Sequence, residues 1–218
     1  MPRLLVLSRR RSAAMSLDKA ARVKQSSGVE TPPEVSWLVQ GNDKFELWEA
    51  AKKLSLGPRL RGSQVDELLA RAMDPTDDLI AETAIYALGF STVSRRRLRD
   101  VILRLLDVVD DVARPPGVRG HAAEGVGNLL SRTKLATLRR HAILRLTKHL
   151  TDPATEVRFW TAFTLGVLRA RQSRSALAGV VGDEAVLPGW WSVGEEAADA
   201  LDSIAGRESP DRPIVRPQ

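Results

Sequence analysis

The stretch that decides the fold is residues 152–168, which read DPATEVRFWTAFTLGVL. Five apolar or small residues in it share one face at helical spacing: Val157, Thr161, Ala162, Leu165 and Leu168. Small residues in the middle of such a stripe predict that a second helix lies close against it. Because a single helix of this kind cannot bury its own face, the stretch predicts neighbours of the same type.

The same pattern recurs before and after this stretch. Five marker residues close the successive copies: Ser55, Gly89, Gly127, Gly166 and Asp202. Their spacings are 34, 38, 39 and 36 residues, and self-similarity at such a period is typical of helical solenoids. We call the helix that ends near each marker a marked helix, and the helix between two marked helices a partner helix.

The copies share an acidic turn, a Val-Arg pair, paired small residues and Leu-Gly. Asp152-Pro153, Val118-Arg119, Ala122-Ala123 and Leu88-Gly89 are examples. The pattern resembles the HEAT-repeat family, in the short form first associated with phycobilisome lyases, over about Thr31 to Gly206. The resemblance implies an all-α fold, a right-handed α-solenoid of about five HEAT-like helix pairs with no β-sheet. It implies little about function, since such repeats serve unrelated functions.

Start and stop signals place the individual helices. The expected helices are residues 34–40, 44–56, 63–73, one ending at Gly89, 95–109 and 134–150. Ser63 with Asp66 resembles a capping box that opens the third of them. The longer connection at 182–192 contains Trp190-Trp191, which we expect to fold over the end of the solenoid as a cap.

The two ends of the chain differ in composition from the predicted solenoid at 31–206. Residues 1–30 are expected to be a disordered basic tail, with Met15 as an alternative start, and residues 207–218 a second disordered tail. The first tail contains Arg3, Arg9, Arg10 and Arg11. Without these four arginines the excess of basic over acidic residues falls from six to two. The pI of about 10.1 therefore indicates nucleic acid only weakly.

Composition limits the class of protein. The chain contains no cysteine, which fits a reducing cytoplasm and leaves neither a disulfide framework nor a thiolate metal site. No apolar run reaches the ~20 residues of a membrane span, and the first residues lack the apolar core of a signal peptide. We therefore expect a cytoplasmic protein that does not enter a membrane.

Charged residues fall on two edges of the predicted solenoid. The turns entering the marked helices are acidic: Asp74, Asp77, Asp78, Asp107, Asp110, Asp111, Asp152, Glu156, Asp183 and Glu184. The turns leaving them form a basic rim: Arg95, Arg96, Arg97, Arg99, Arg132, Lys134, Arg139, Arg140, Arg169, Arg171 and Arg174. Complementation of the helix macrodipoles is the favoured explanation. The alternative is that the basic rim docks a phosphate backbone or an acidic protein.

One column of the marked helices is expected to face outward into the concave surface. The sites seven and three residues before each marker read Trp48 with Lys52, Glu82 with Tyr86, Gly120 with Glu124, Phe159 with Phe163, and Glu195 with Asp199. The predicted partner-binding residues are Trp48, Glu82, Tyr86, Glu124, Phe159, Phe163, Glu195 and Asp199. Aromatic side chains are enriched in binding hot spots, and the acids between them favour a cationic segment over phosphate.

A one-residue difference in helix rotation is the alternative to this column. It would place Phe159 and Phe163 in the core, where Trp160 is expected in either case. The sequence alone leaves the two arrangements of the phenylalanine pair open.

Motifs of catalysis and metal binding do not occur in the sequence. None of the three histidines, His121, His141 and His149, precedes a glutamate, so the His-Glu pairs that hold two irons in the HEAT-like deoxyhypusine hydroxylases are missing. There is also no glycine-rich phosphate loop, no Gly-x-Ser-x-Gly and no zinc spacing. His121 is expected on a helix surface. We expect no catalytic residue, no metal and no cofactor.

The favoured hypothesis is a non-enzymatic scaffold that binds a protein or peptide in an acidic, aromatic groove. The alternative is a DNA-binding protein of the HEAT-like alkylpurine DNA glycosylase kind, which would need a basic concave face with tryptophans and a carboxylate. A further alternative is a bilin-lyase-like subunit or chaperone, suggested by the repeat type alone. Nucleic acid is the less favoured partner, and the sequence does not fix the oligomeric state.

Overall fold

The computed structural model describes residues 44–208 and Arg212. The helix expected at 34–40, the N-terminal tail and most of the C-terminal tail lie outside the described residues. Nine α-helices occur within the described part: α1 Lys44–Leu56, α2 Gly62–Met73, α3 Asp78–Phe90, α4 Arg95–Asp110, α5 Pro116–Ser131, α6 Ala136–Thr147, α7 Thr155–Val167, α8 Arg174–Ala178 and α9 Val193–Ala205. Two 3₁₀ turns, Lys148–Thr151 and Arg171–Ser173, follow α6 and precede α8.

The all-helical prediction is confirmed for residues 44–208, which contain no strand. An isolated bridge between Val186 and Ser192 lies in the loop before α9. Helix boundaries agree closely with the sequence pattern at α1, α3 and α4. The predicted capping box at Ser63 is wrong, since the N-cap of α2 is Arg61, whose backbone N–H donates to Oε1 of Gln64 at 3.0 Å.

The helices pack in two layers. In the first layer α1, α3, α5, α7 and α9 contact one another in chain order. In the second layer α2, α4 and α6 do the same, and each lies against the following first-layer helix. One apolar core runs between the layers from Leu47 to Ile204. Each helix therefore buries its apolar stripe against its neighbours, as the repeat requires.

Adjacent first-layer helices are parallel. At the start of α5, a Cβ on Gly117 would collide with Oε1 of Glu82 near the start of α3. Near the helix ends, a Cβ on Gly89 would lie 2.6 Å from Cα of Gly125. Early residues thus meet early residues and late residues meet late ones, and the small side chains allow the backbones to touch.

The α5–α7 pair has the same arrangement. A Cβ on Gly120 would lie 2.7 Å from Cδ1 of Trp160, and one on Gly127 would lie 2.9 Å from Oγ1 of Thr164. The Thr164 hydroxyl donates to the backbone carbonyl of Ala123 at 2.8 Å. The small residues predicted a close neighbouring helix, and this prediction is confirmed.

The acidic edge is held together by internal ion pairs and caps. Asp152 accepts from Arg119 at 2.5 Å with both side chains buried, and Asp183 accepts from Arg158 at 2.7 Å. Further contacts at this edge are Arg145 with Asp107 and Asp110, His149 with Asp110, and the N-cap of α3 by Asp77. These five carboxylates therefore connect successive helices or cap one of them.

Candidate functional site

Aromatic rings form a continuous row along the first layer. The aromatic row runs in spatial order through Phe90, Tyr86, Trp48, His121 and Trp160, and it ends in a cluster that Trp160 forms with Phe159, Phe163, Trp190 and Trp191. The imidazole of His121 joins its two halves, with ring centroids 5.4 Å from Trp48 and 6.2 Å from Trp160. Tyr86 meets Trp48 edge to face at 5.2 Å. The row crosses α1, α3, α5 and α7 and reaches the loop before α9.

The predicted outward column is wrong for α5 and α7, and on α1 and α3 its members keep partial exposure. Trp48, Glu82 and Tyr86 are half-buried on the open side of the layer. On α5 the corresponding position belongs to His121, which is half-buried, whereas Glu124 is 4% exposed. His121, which was expected on the helix surface, is half-buried, with its ring between those of Trp48 and Trp160.

The side chain of Trp160 explains why α5 and α7 are rotated about their axes relative to the prediction. Gly120 has no side chain, so the Trp160 ring occupies the space a Cβ would need and leans across α5. This places Trp160 and Glu156, instead of Phe159 and Phe163, on the line that continues from His121. The expected burial of Trp160 is confirmed at 3% exposure.

Of the two arrangements that the sequence left open, the phenylalanine pair adopts the one in the core, so its place among the predicted partner-binding residues is wrong. Phe159 is 1% and Phe163 is 4% exposed. The rings of Trp190 and Trp191 lie 5.9 and 6.0 Å from that of Phe159, so the 182–192 loop covers the phenylalanine. Trp190 remains half-buried, so the aromatic row is partly accessible to solvent at this end.

Two carboxylates converge beside the centre of the aromatic row. Glu82 of α3 and Glu156 of α7 both approach Gly117, whose Cβ would lie 3.7 Å from Oε2 of Glu156. Burial raises the pKa of Glu82; His121 opposes this shift and Glu156 adds to it. Nδ1 of His121 lies 3.6 Å from Oε2 of Glu124. We call Trp48, Glu82, Tyr86, His121 and Glu156 the acidic–aromatic face.

At the last first-layer helix, a basic side chain already occupies the predicted acidic positions. The guanidinium of Arg212 donates to Oδ1 of Asp199 at 2.8 Å and to Oε1 of Glu195 at 3.1 Å. Asp199 is consequently buried, contrary to the expected exposure, while Glu195 is exposed. The hydrogen bond to Asp199 is the main cause that raises the pKa of Arg212. Arg207, also from the predicted C-terminal tail, pairs with Asp202 at 2.7 Å.

The residues of the basic rim lie close together at one edge, but mostly not at helix C-termini. Arg95, Arg96, Arg97 and Arg99 are in the first turns of α4, and Arg174 is the first residue of α8. Explaining the rim by helix dipoles is therefore wrong for these residues, because a base at an N-terminus opposes the dipole. Of the rim residues, Arg132 directly follows α5, and Arg169 follows α7 after Leu168.

Comparisons with known proteins provide no family for this chain. The sequence matches no family model, and no curated protein resembles it closely enough to count as a relative. None of the helices in residues 44–208 is long and apolar enough to cross a membrane. The described residues contain no group of three or more His, Asp or Glu side chains placed to hold a metal ion.

Proposed function

We propose that the chain is a non-enzymatic interaction protein, a right-handed HEAT-like solenoid of about five helix pairs. Its acidic–aromatic face would bind an extended segment of a partner protein through that segment's arginine or lysine side chains. The observation that carries this proposal is the convergence of Glu82 and Glu156 beside the half-buried rings of Trp48 and Tyr86.

The chemistry of the face suits a cation. Carboxylates attract it, and an arginine or lysine head group over an indole or phenol ring gains a further cation–π attraction of about 0.5–2 kcal/mol. Trp48 and Tyr86 also bury large area with few rotatable bonds, so binding costs them little entropy. Burial raises the pKa of Glu82 and Glu156 adds to the shift, and a bound cation would favour the charged form of both carboxylates.

Arg212 supports this mode of binding from within the chain itself. It lies outside any helix and carries a guanidinium that two acids of α9 hold. Glu195 and Asp199 stand at the same repeat positions as Glu82 and Tyr86. An arginine of a partner segment would engage the acidic–aromatic face in the same way.

The proposal is tested with a fluorescein-labelled hexa-arginine peptide and the full chain by fluorescence anisotropy. We expect saturable binding that weakens about tenfold or more in the double variant Glu82→Gln/Glu156→Gln and in Trp48→Ala. The matched control is Asp100→Asn/Glu208→Gln, which removes the same charge from two exposed side chains outside the face, one on α4 of the second layer and one after α9.

The control should bind within about twofold of the unmodified chain, since exposed single charges contribute little. Equal weakening in both double variants would mean that only net charge attracts the peptide, and the proposal would then be wrong. Unchanged binding in Trp48→Ala would show that the indole ring does not contribute to peptide binding.

A further inference from the structure

Most charges of the basic rim take part neither in ion pairs of the fold nor in the proposed peptide binding. We propose that it is a second binding surface, which docks the phosphate backbone of a double-stranded nucleic acid. The argument rests on where the rim residues lie, what they contact and which charges are missing around them.

The rim is one surface because its loops are connected across successive helix pairs. Nη1 of Arg132 donates to the carbonyl of Phe90 at 3.1 Å, and Nη2 of Arg139 donates to that of Leu168 at 2.5 Å. The loops after α3, α5 and α7 therefore lie side by side, as expected from parallel helices. Residues 89–99, 127–141 and 166–178 of these loops and helix starts contain ten arginines, one lysine and no acidic residue.

Most of these bases have no counter-ion among the described residues. Exposed rim bases without an ion pair there are Arg95, Arg96, Arg99, Arg132, Lys134, Arg140, Arg169, Arg171 and Arg174. Desolvation lowers the pKa of Arg132 and Arg139, whereas at the opposite edge carboxylate bonds raise that of Arg145 against its desolvation. Arg97 is the rim base that pairs with acids of the described residues, Asp66 and Asp100, and Arg132 and Arg139 bond backbone carbonyls. The remaining rim charges have no such use in the fold, whereas most charges of the acidic edge do.

The placement of the arginines has a cost to the fold. Three of them open α4 against its dipole, and like charges repel along the whole rim. Asp66 and Asp100 compensate Arg97, but Arg95 and Arg96 have no ion pair among the described residues. Local rules that are broken in this way are expected at functional sites. An external anion would provide the missing compensation.

The pattern fits a nucleic acid better than the other polyanionic surfaces. The bases repeat at each helix pair, and Arg97 is the one that pairs with acids among the described residues. Duplex DNA presents one negative charge per ~1.7 Å of axis. Arginine, which outnumbers lysine here, binds phosphate in a two-pronged geometry. No large apolar side chain is exposed within the three segments, whereas peripheral membrane binding inserts apolar groups.

Arg169 gives an independent indication. Its φ is +46°, the only positive value at a non-glycine residue in the described part. Arg169 occupies the position just after a helix C-terminus where glycine is usual. The N–H of Arg169 donates to the carbonyl of Gly166, and the N–H of Ala170 donates to the carbonyl of Leu165. An arginine here is unfavourable for the backbone but places an exposed guanidinium in the middle of the rim.

The test uses the full chain, a labelled 20-base-pair duplex of random sequence and fluorescence anisotropy over a range of salt concentrations. We expect binding whose logarithm falls linearly with that of salt. Arg95→Ala/Arg96→Ala/Arg99→Ala should weaken it at least tenfold near 50 mM salt and reduce the slope by up to about three. Arg169→Gly should also weaken it, by about two- to fivefold, with no loss of folding.

The matched control is Arg104→Ala/Lys148→Ala/Arg207→Ala, which removes three charges from exposed sites off the rim. It should retain most of the affinity and nearly the full slope. Equal losses in the two triple variants, or no binding to the duplex at low salt, would overturn the proposal. So would stronger retention on phosphatidylserine vesicles or on polyglutamate than on the duplex at equal salt.

Discussion

Gly89 of α3 and Gly125 of α5 touch through their backbones, because a Cβ on Gly89 would lie only 2.6 Å from Cα of Gly125. We predict that Gly89→Ala lowers the free energy of unfolding by about 1–2 kcal/mol, since overpacking outweighs the better helix propensity of alanine. Urea unfolding followed by circular dichroism measures it. Gly62→Ala is the control, because no atom lies within 4 Å of a Cβ there, and equal losses in both variants would contradict the close contact.

Asp152 and Arg119 form a buried ion pair between the α6–α7 turn and α5, with both side chains 4% exposed. Asp152→Asn leaves the Arg119 charge unpaired, so we predict a loss of about 3–5 kcal/mol. Asp100→Asn, which touches only partly exposed arginines at 3.8 and 4.0 Å, should cost less than about 1 kcal/mol. If chemical denaturation gave comparable losses of unfolding free energy for Asp152→Asn and Asp100→Asn, the buried pair would contribute no more than an exposed one.

The same pair predicts a pH dependence. Burial alone would raise the pKa of Asp152, but hydrogen bonds from Arg119 and the Ala154 N–H outweigh it, so the pKa is lowered. The folded state thus binds the proton more weakly than the unfolded chain, whose aspartate pKa is about 3.9. Stability from this group is complete above that pH and is lost as the pH falls through the folded value. Asp152→Asn should lose less stability on acidification than the unmodified chain.

Glu82 should behave in the opposite sense. Burial raises its pKa, so its charged form is disfavoured in the folded state and its contribution falls as the pH rises above the unfolded value of about 4.3. Glu82→Gln should therefore increase stability at pH 7, on the order of 0.5 kcal/mol, and the gain should vanish near pH 4. A gain independent of pH in parallel urea titrations would assign it to another cause.

Arg169→Gly should stabilise the chain by about 0.5–1 kcal/mol, because glycine adopts the positive φ without steric cost. Arg171→Gly removes the same charge from a 3₁₀ turn of ordinary conformation and should be neutral or destabilising. Thermal unfolding at matched ionic strength compares the two. If both variants shift the midpoint equally upward, relief of charge repulsion and not backbone conformation is the cause.

The errors of sequence reasoning occur where distant segments meet. On α1 and α3, Trp48, Glu82 and Tyr86 keep the partial exposure that an outward position requires. On α5 the prediction failed because the Trp160 ring lies against Gly120. The glycine at position 120 indicated that another group could approach α5 closely there. It did not specify that this group would be the Trp160 ring.

The two charged edges illustrate a second limit. Their composition is readable from the sequence, and so is their separation onto opposite ends of the helices. Whether a charge is used inside the fold is not readable: Arg145 meets Asp107 across two helices, whereas Arg96 meets no acid among the described residues. Arg169 could be named as a rim residue, but its positive φ depends on how α7 ends.

The sequence by itself determined the helices, their apolar stripes and the close contacts at small residues, because these depend on neighbours within a few positions along the chain. The tertiary structure alone decided the rotation of α5 and α7, the covering of Phe159 by Trp190, and the engagement of Asp199 by Arg212. Those outcomes depend on which side chain from a remote segment fills a given space. A repeat pattern specifies that helices will meet and leaves open which atoms they bring together.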